Sequence, residues 1–520
     1  MSENIKKCVL VEGSYSHKLE IPSTWEFAKL NEVIEIVGGS QPPKSDFMDQ
    51  PEGDCVRLIQ IRDYKSDNNV VYIPRNKAKR FVAKDEVMIG RYGPPIFQIL
   101  RGLEGAYNVA LMKAKPRDRV FSNEYLFYYL TNKNIYNYVD SASDRTAGQS
   151  GVNKKHLEQY PVGVPPLAEQ KRIVEKLDEV LAQVDTIKAR LDGIPDLLKR
   201  FRQSVLASAV SGKLTEEWRG NCVSKPASEL IVSINVDREK LYLSEIDAGN
   251  KDTKRLLGKV KKHKPTLPSD ELPTSWVWTS FMESMDKVVD CHNKTAPYID
   301  EGVPLIRTPD IRNGKISLEG AMYISQETYD YWSRRCPPAS GDIIFTREAP
   351  MGEAGIVPKN VTLCMGQRMM LLRPNSSYID PKYVLLNIMS LNFQERMGAQ
   401  AIGTGVKHLR VADVESLSYP LAPLEEQKEI VRLVDQYFAF ADTIEAQVKK
   451  AQARVDNLTQ SILAKAFRGE LVPQDPNDEP ADKLLERIAE ARKEAEALAK
   501  AAKKAESAKK RAAKKAVENN

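Results

Sequence analysis

The chain of 520 residues has few of the side chains from which catalytic and metal sites are usually built. It contains five histidines, so few groups titrate near neutral pH. Its six cysteines include no Cys-x-x-Cys pair and are scattered over the sequence: Cys8, Cys55, Cys222, Cys291, Cys336 and Cys364. This spacing excludes the usual zinc sites and disulfide frameworks, and it predicts reduced thiols in a cytoplasmic protein with no bound metal.

Sequence motifs of nucleotide-binding and hydrolytic enzymes are also missing. The chain has no Gly-x-x-x-x-Gly-Lys-Ser/Thr phosphate loop, no His-Glu-x-x-His and no Gly-x-Gly-x-x-Gly after a strand. The Asn/Asp-Pro-Pro-Tyr/Phe tetrad of amino-methyltransferases is absent, because Gly93-Pro94-Pro95-Ile96 has different flanking residues. These absences argue against an enzyme, although carboxylates from distant segments could still converge in the folded chain.

Long apolar segments are lacking as well. No apolar run reaches the roughly 18 residues that a membrane-spanning helix needs. The N-terminal residues MSENIKKCVL have no apolar core of the kind found in a signal peptide. We therefore expect neither secretion nor membrane insertion.

The chain carries no strong excess of charge. Its 77 Lys and Arg residues stand against 71 Asp and Glu residues, for a net charge of +6. The last twenty residues hold +5 of this total, since they contain seven basic residues, Glu506 and Glu518. Net charge is therefore a poor argument for DNA binding by the folded body. The Ala/Lys-rich tail favours a helix that either contacts DNA phosphates or is merely solvated.

An internal repeat dominates the sequence. The segment that starts PLAEQKRIV at Pro166 recurs as PLEEQKEIV at Pro423, 257 residues later. Twenty of the 49 positions from Pro166 to Leu214 are identical in the second copy. The segments that precede the two copies share only sparse matches, such as Ile-Pro-x-x-Trp ending at Trp25 and Leu-Pro-x-x-Trp ending at Trp276. The chain is thus a duplicated plan of variable segment followed by repeat.

The repeats show the spacing of a coiled-coil seam. Apolar residues alternate at steps of four and three along the first copy: Ile173, Leu177, Val180, Val184, Ile187, Leu191, Ile194, Leu198, Phe201 and Val205. The ten matching positions of the second copy are apolar too. Two such copies predict long helices that pack on each other, with Pro195 kinking or breaking the first. An ordinary amphipathic helix on a globular core is the plainer alternative.

The variable segments have a different pattern. Short β-rich runs such as CVRLIQIR, EVMIGRYG and DIIFTRE lie between Gly, Pro and Asn turns, and one or two helices follow. The predicted fold class is α+β, with two variable domains separated by two long helices that pack as a coiled-coil-like spacer with pseudo-twofold internal repetition. The expected boundaries are an N-terminal extension (1–18), a first domain (19–160), a first helical spacer (161–219), a polar linker with some helix (220–270), a second domain (271–417), a second helical spacer (418–475) and a basic helical tail (476–520).

These features resemble the specificity subunit of type I restriction-modification enzymes. The resemblance rests mainly on PPLAEQKRIVEKLDEVLAQVDTIKARL with the following IPDLLKRFRQSVLASAVSGKLTEEWR, and on ADTIEAQVKKAQARVDNLTQSILAKAFRGEL in the second copy. It covers about residues 19 to 475, and the two Pro-x-x-Trp segments look like the openings of two target recognition domains.

The resemblance implies a function. Such a subunit is not catalytic; it binds a bipartite double-stranded DNA site, one half-site per recognition domain. Two modification subunits dock along its helices and methylate adenine with S-adenosylmethionine. Restriction subunits that use ATP and magnesium join to form the translocating nuclease, so no cofactor is expected on this chain itself.

Base reading in the major groove predicts which residues contact DNA. Arg and Lys reach guanine, Asn and Gln reach adenine, and other basic residues hold phosphates. The candidates in the first domain are Arg57, Gln60, Arg62, Lys65, Arg91, Gln98, Arg101, Arg145, Gln149, Lys154 and Lys155. Those in the second are Arg307, Arg312, Lys315, Arg334, Arg335, Arg347, Gln367, Arg368, Lys407 and His408. For each one, ordinary surface charge is the alternative.

Arg91 and Arg347 stand out, because each ends the same matched strand in its domain. Two glycine-rich segments, Gly148-Gln149-Ser150-Gly151 and Gly403-Thr404-Gly405, lie beside basic residues ahead of the repeats. Such loops either approach a phosphate with backbone amides or act as hinges.

The charged faces of the repeats are candidates for binding the partner subunits, although a solvated helix face is charged too. The matched residues are Glu169, Gln170, Lys171, Asp178 and Asp185 in the first copy, and Glu426, Gln427, Lys428, Asp435 and Asp442 in the second. Two other functions remain open from the sequence: a protein-only scaffold, and a self-sufficient DNA-modifying enzyme with a degenerate site.

Overall fold

The computed structural model describes residues 5–12, 15–142, 144–146, 149–222, 224–403, 405–491, 493–494 and 497. The chain divides into two compact units. Unit 1 comprises Met1–Asp192 and Lys450–Asn520, and unit 2 comprises Gly193–Lys449. Each unit thus combines one variable segment with parts of both repeats.

Unit 1 is built from short strands and helices. Its strands are β1 (Ile5–Glu12), β2 (Tyr15–Pro22), β3 (Glu26–Lys29), β4 (Ile34–Gly38), β5 (Cys55–Ile59), β6 (Tyr72–Pro74), β7 (Phe81–Val82), β8 (Val87–Gly90), β9 (Gln98–Leu100), β10 (Gly105–Tyr107), β11 (Leu111–Pro116), β12 (Asp144–Thr146), β13 (Gln149–Gly151) and β14 (Pro161–Val164). Its helices are α1 (Leu30–Val33), α2 (Asn123–Leu130), α3 (Lys133–Ser141) and α4 (Lys154–Leu157), followed by the start of α5 (Leu167–Val210).

Unit 2 repeats this mixture. Its helices after α5 are α6 (Glu216–Asn221), α7 (Ala227–Asp247), α8 (Lys251–Lys262), α9 (Phe281–Ser284), α10 (Gln326–Trp332), α11 (Pro381–Met389), α12 (Leu391–Gln400), α13 (Val411–Glu415) and α14 (Leu424–Ala466), the last of which ends in unit 1. Its strands are β15 (Val277–Ser280), β16 (Met285–Asp290), β17 (Val303–Ile306), β18 (Ile311–Arg312), β19 (Lys315–Ile316), β20 (Met322–Ile324), β21 (Ile343–Thr346), β22 (Ala354–Ile356), β23 (Cys364–Met365), β24 (Met369–Pro374) and β25 (Ser418–Leu421).

The two units share their sheet topology. An antiparallel sheet of order β4-β11-β8-β9 in unit 1 matches β16-β24-β21-β22 in unit 2. A second sheet contains a parallel pair in each unit, β5 with β10 and β17 with β23. The pair β3–β14 likewise matches β15–β25. The α+β class with a duplicated plan is therefore confirmed.

Matching strands are buried for the same reason. β8 and β21, the inner strands of the corresponding sheets, are buried at all four positions, because one face packs on the helices and the other on the second sheet. Trp25 and Tyr125 are central in the core of unit 1, and Trp276 and Tyr383 take the equivalent positions in unit 2.

The long helices pack on each other within each unit. In unit 1, Lys188 of α5 pairs with Asp456 of α14 at 2.9 Å, and Gln452 donates to Asp192 at 2.7 Å. Rising numbers on one helix meet falling numbers on the other, so the packing there is antiparallel. In unit 2, Arg202 pairs with Asp442 at 2.7 Å.

The predicted seam is realised only in part. Ile173, Leu177, Val184, Leu198 and Val205 are buried, as are Ile430, Val434, Ala441, Val448 and Ile462. Ile187, Tyr437 and Leu458 are 46%, 40% and 46% exposed. Much of the apolar stripe therefore packs against the α+β cores rather than along a continuous coiled coil.

Pro195 was expected to kink or break α5, and the helix is continuous through it, so a break is excluded. A proline removes its own N–H from the helical ladder and its ring crowds the carbonyl four residues earlier, but tertiary packing can hold the helix on both sides of it.

The predicted linker, residues 220–270, is largely helical. Helices α7 and α8 form a hairpin that packs on unit 2, with Ile234, Arg238 and Tyr242 buried. The Arg238 guanidinium donates to the carbonyls of Met282 and Met285 at 2.7 and 2.9 Å. Burial lowers the pKa of Arg238. The segment is therefore an integral part of unit 2.

The chain ends take defined structure where they are described. Residues 5–12 and 15–22 form an antiparallel hairpin, and residues 481–491 form a helix. Gly148, Thr404 and the seven basic residues of the tail beyond residue 500 lie outside the described residues. No helix in the described part of the chain is both long and apolar enough to cross a bilayer.

Candidate nucleic-acid interface

Arg91 and Arg347 occupy the predicted matching positions, immediately after β8 and β21. The Arg91 side chain is exposed, and its guanidinium lies 5.0 Å from the centre of the Tyr92 ring. Arg347 is half-buried, and its Nη1 donates to the Leu409 carbonyl at 3.0 Å. Arg91 is thus free to meet a ligand, whereas Arg347 also ties down its own loop.

The fold brings several candidates of unit 1 close to Arg91. The start of β9, with Gln98, lies beside Gly90, and so does Ile61, which stands between Gln60 and Arg62. Val152 donates to the Arg91 carbonyl at 3.0 Å and so brings the glycine-rich segment and Lys155 to the same edge. Three of the candidates at this edge are exposed: Arg62, Lys65 and Lys155. For Arg145 and Gln149, on β12 and β13, the structure describes the backbone only.

Other candidates of unit 1 are already engaged. Arg57 pairs with Asp67 at 2.8 Å and lies 3.8 Å from the buried Asp63. Burial raises the pKa of Asp63. Lys154 donates to the Ile36 carbonyl at 2.8 Å. Arg101 follows the other end of β9 and stacks 4.0 Å from the Phe127 ring of α2, apart from the Arg91 group.

In unit 2, a second group forms around Arg347. Arg347 donates its backbone N–H to the Arg368 carbonyl at 2.8 Å, and Arg368 Nε lies 3.5 Å from Glu348. His408 forms β-bridges to Glu348 and Ile402, which places Lys407 on the same loop. Residues Arg307, Gln367 and Arg368 line one cavity beside this group.

The remaining candidates of unit 2 lie elsewhere. Arg312 and Lys315 face each other across the β18–β19 pair, and both are exposed. Arg335 forms an ion pair with Asp290, and Arg334 stacks 4.1 Å from the Tyr331 ring. Arg334 and Arg335 line a different cavity, together with Arg255 and Lys287.

Four of the ten expected partner-binding residues are buried within the chain, which corrects their predicted exposure. Glu169 at the start of α5 accepts a hydrogen bond from the Trp25 indole at 2.9 Å. The matching Glu426 of α14 accepts one from the Trp276 indole, also at 2.9 Å. We call the contact of Trp25, Glu169 and Gln474 the first joint, and that of Trp276, Glu426 and Arg219 the second joint.

The adjacent glutamines join the same contacts. The Gln170 amide donates to the Val120 carbonyl at 2.8 Å, and the Gln427 amide donates to the Tyr378 carbonyl at 3.2 Å. Each glutamine also accepts a backbone N–H at the start of a core helix, from Ser122 or Asp380. The Glu–Gln pair in the first turn of each long helix therefore holds that helix against the α+β core of its unit.

The other expected partner-binding residues stay at the surface. Asp178 accepts a hydrogen bond from the Tyr128 hydroxyl, Asp435 pairs with Lys382 at 2.6 Å, and Asp442 pairs with Arg202. Three further members of the set are exposed: Lys171, Asp185 and Lys428.

Sequence reasoning missed a further matched contact. Gly212 and Gly469 end the two repeats in the left-handed backbone region, at φ +75° and +70°. A Cβ at either would stand 2.6 or 2.3 Å from the ring of Pro273 or Pro22, the prolines of the Pro-x-x-Trp segments. The signal was present in the sequence, because both glycines and both prolines belong to the matched pairs.

A second missed feature extends the repeat. Pro226-Ala227, Leu230 and Ile234 are matched by Pro480-Ala481, Leu484 and Ile488. Ala227 donates its N–H to the Ser275 carbonyl and Ala481 to that of Thr24, at 2.8 and 3.1 Å, each just before the tryptophan of its Pro-x-x-Trp segment. The start of the tail is therefore a second copy of the start of α7.

Comparison with known sequences identifies the family. The family model described as "Type I restriction modification DNA specificity domain" matches residues 22–196 and 290–452. The chain belongs to the type I restriction-modification DNA specificity family.

Relatives within this family cover almost the whole chain. The EcoBI specificity subunit of Escherichia coli is 31% identical over 508 residues, which are 95% of this chain and 97% of that protein. The curated relatives are named as specificity subunits, a non-catalytic role in a restriction-modification complex, and the expectation of a non-enzymatic recognition subunit is confirmed on that basis.

Solved structures support the fold assignment. The HsdS subunit from Thermoanaerobacter tengcongensis has a TM-score of 0.53 at 19% identity, covering 89% of this chain and all of that one. A chain from a study of complex assembly and conformational transition in a type I restriction-modification system has a TM-score of 0.55 at 18% identity, covering 87% and 99%. Two recognition domains with long helices are therefore the fold of this specificity subunit. Within its described residues, no group of three His, Cys, Asp or Glu side chains could hold a metal ion.

Proposed function

We propose that this specificity subunit binds a bipartite, asymmetric double-stranded DNA site, with one recognition domain on each half-site. The observation that carries the proposal is the pair of arginines at the ends of β8 and β21, each in the same sheet position of a duplicated domain. Because the side chains around the two arginines differ, the two half-sites should differ in sequence.

The basic and amide residues grouped with these arginines, all of them exposed or half-buried, are the proposed base readers. In the first domain they are Arg62, Lys65, Arg91, Gln98 and Lys155; in the second they are Arg307, Arg347, Gln367, Arg368, Lys407 and His408. Arg and Lys donors suit guanine, and the glutamine amides suit adenine. Arg57 and Arg335 are held by carboxylates, so we assign them to supporting the loops. Arg307 also pairs with Asp310, but it does so through Nε and Nη2 only and lines the same cavity as Arg368, so we keep it among the readers.

Partner subunits complete the proposed activity. We propose that two modification subunits dock on the exposed charged faces of the helices, around Lys171, Asp185 and Lys428. They would methylate adenine with S-adenosylmethionine, and restriction subunits would use ATP and magnesium to translocate and cleave DNA. The assembly would act in the cytoplasm, where the DNA is accessible.

Methylome sequencing tests this proposal. A cell that expresses the chain with its modification subunits should show methylated adenines in one two-part sequence. Replacing residues 19–160 with the same domain of another family member should change one half of that sequence only. Replacing residues 271–417 should change only the other half. If both halves stay the same after either exchange, the assignment of one half-site to each domain is wrong.

A further inference from the structure

A cavity of about 260 Å³ opens in the second recognition domain, and three of the proposed base readers, Arg307, Gln367 and Arg368, line it. Its volume lies just below the range of about 300–1,000 Å³ that is typical of sites for drug-sized ligands. Its walls include two aromatic rings, Trp332 and Tyr298, and the hydrogen-bond donors Arg307, Gln367 and Arg368. A flat polar ligand about the size of one nucleobase suits these dimensions and this lining.

Of the two aromatic rings, Trp332 is held by its neighbours and Tyr298 is exposed. Trp332 ends α10 and is half-buried, and its ring packs edge-on against His292 with 4.4 Å between the ring centres. Tyr298, on the loop after β16, is 44% exposed. Aromatic side chains of this kind are the usual platforms on which proteins stack an unpaired base.

The polar side is dominated by donors. Asp310 holds Arg307 through Nε and Nη2, each at 3.2 Å, which leaves Nη1 directed away from that ion pair. Arg368 adds a second guanidinium, with its backbone held in the left-handed region at φ +66°. Lys294 lies at the same cavity and is exposed. Such a lining favours a base rich in carbonyl acceptors, and thymine carries two of them, O2 and O4, whereas adenine presents an amino donor.

We propose that this cavity holds a thymine that has rotated out of the DNA duplex. The proposal rests on the proposed function, in which a modification subunit methylates adenine. An enzyme that modifies a base within a duplex first takes it out of the stack, and the thymine opposite that adenine is then left unpaired. The cavity stacks this thymine between aromatic rings and binds its carbonyls.

The first recognition domain differs at this place. The stretch from β6 to β7, which matches the position of α10, contains a single turn of 3-10 helix at Arg75–Lys77 in the described structure. A cavity near it is lined by Asp49 and Asp67 together with Arg57 and Arg62, and its wall contains one aromatic ring, Tyr72. A base cannot stack between two rings there, and carboxylates disfavour the carbonyl oxygens of thymine, so only the second half-site should place a base in this way.

Photocrosslinking tests the proposal on the whole complex. The specificity subunit and its modification subunits are bound to duplexes in which 4-thiothymidine replaces the thymine opposite the methylated adenine, in one half-site at a time. Irradiation should crosslink the second half-site to a peptide that contains Tyr298 or Trp332. The duplex labelled in the first half-site should give no crosslink to these peptides and serves as the matched control.

Variants sharpen the result. Trp332→Ala should lower the crosslink yield at least fivefold and should make that thymine reactive to permanganate. Tyr331→Ala removes a neighbouring ring that does not line the cavity, and it should leave the yield unchanged. Specific binding and adenine methylation are measured on the same complexes. If binding and methylation are both normal while the thymine crosslinks to other peptides or reacts with permanganate in the wild type, the cavity does not hold the thymine, but the proposed function stands. If neither is present, the proposed function itself fails.

Discussion

The first and second joints contain the same repeated tryptophan and glutamate, but a different group donates to the buried carboxylate in each. In the second joint, Arg219 approaches Glu426 at 2.9 Å and Thr215 donates to the same oxygen at 2.7 Å. In the first joint, the neutral Gln474 amide donates to Glu169 at 2.6 Å, and Thr24 in turn donates to the Gln474 carbonyl oxygen. Burial raises the pKa of Glu169 above its ordinary value.

This difference shows that the two joints share the indole–carboxylate hydrogen bond but not the second donor to the carboxylate. The indole–carboxylate hydrogen bond is the same length in both joints, because it sets how the tryptophan turn meets the helix. The group on the far side of the carboxylate needs only to donate a hydrogen bond. A cation makes the second joint sensitive to loss of its partner, whereas the neutral amide of Gln474 gives the first joint a weaker hydrogen bond.

The largest effect should follow removal of the cation. Arg219→Met leaves Glu426 buried without its partner, which should lower the free energy of local opening by about 3 kcal/mol. Hydrogen exchange of peptides that contain Trp276 measures this change, and peptides that contain Trp25 should not respond. In the first joint, Gln474→Leu should cost only about 1.5 kcal/mol, since a single hydrogen bond to a charged group is lost.

A double variant separates charge from packing. If the buried carboxylate causes the loss, Arg219→Met combined with Glu426→Gln should recover more than half of it. Failure of the second substitution to recover any stability would mean that the Arg219 stem, rather than its charge, holds the joint.

The next effect should be similar in the two units. Ala at Gly212 or Gly469 would adopt a left-handed backbone and press its Cβ on a proline ring, at a cost of about 2 kcal/mol in either unit. At Gly212 the Cβ would also stand 2.8 Å from Nη2 of Arg219, which is the end of a flexible side chain. Thermal unfolding and local hydrogen exchange measure both variants. Gly193→Ala is the control, because that glycine lies inside α5 with open space at its Cβ, and the substitution should stabilise by about 0.5–1 kcal/mol. A loss of stability in only one of the two glycine variants would show that the two units are not equivalent.

DNA discrimination should respond next. Arg91→Ala should reduce the preference for one base pair in one half-site by about 1–3 kcal/mol and leave stability unchanged, since the side chain is exposed. Arg347→Ala should act on the other half-site and also loosen the loop at Leu409. Competition binding against single base-pair substitutions shows which half responds. A uniform loss over all sequences would instead assign the arginine to a phosphate.

The smallest effect concerns pH. The folded-state pKa of Glu169 is raised above its ordinary value of 4.5, so the folded chain binds the proton more tightly than the unfolded chain. In the window between these two pKa values, the unfolding free energy contributed by this group falls as pH rises. Wild type should therefore gain stability at the first joint, relative to Glu169→Gln, as the pH is lowered towards 4.5. Hydrogen exchange at Trp25 measures this difference, and a constant difference would contradict the sign.

Much of the architecture was predictable, because the sequence patterns that indicate helices and strands are local and occur twice in the chain. Periodicity indicated the long helices, and alternating runs indicated the strands that became β8 and β21. The continuity of α5 through Pro195 was not predictable from proline chemistry alone, because packing on both sides outweighs one lost hydrogen bond.

The interface was less predictable. Glu169 and Gln170 looked like surface residues because polar side chains in a first helical turn are usually solvated, and only the contacts of Glu169 with Trp25 and of Gln170 with Val120 show why they are buried. The grouping of Arg307 with Gln367 and Arg368, and the separation of Arg334 from them, depend on how loops far apart in sequence fold together.

The separation between the joints and the base readers has a consequence for how such a subunit changes over time. Trp25, Glu169, Pro22 and Gly469 seat the first domain, and none of them is among the residues proposed to touch bases. Substitutions in the loops that carry the proposed base readers therefore need not disturb the contacts between the domain and the long helices. A recognition domain acquired from a related gene would meet the same tryptophan, proline and glycine contacts, so a new DNA target could arise in one genetic exchange without further adjustment of the helices.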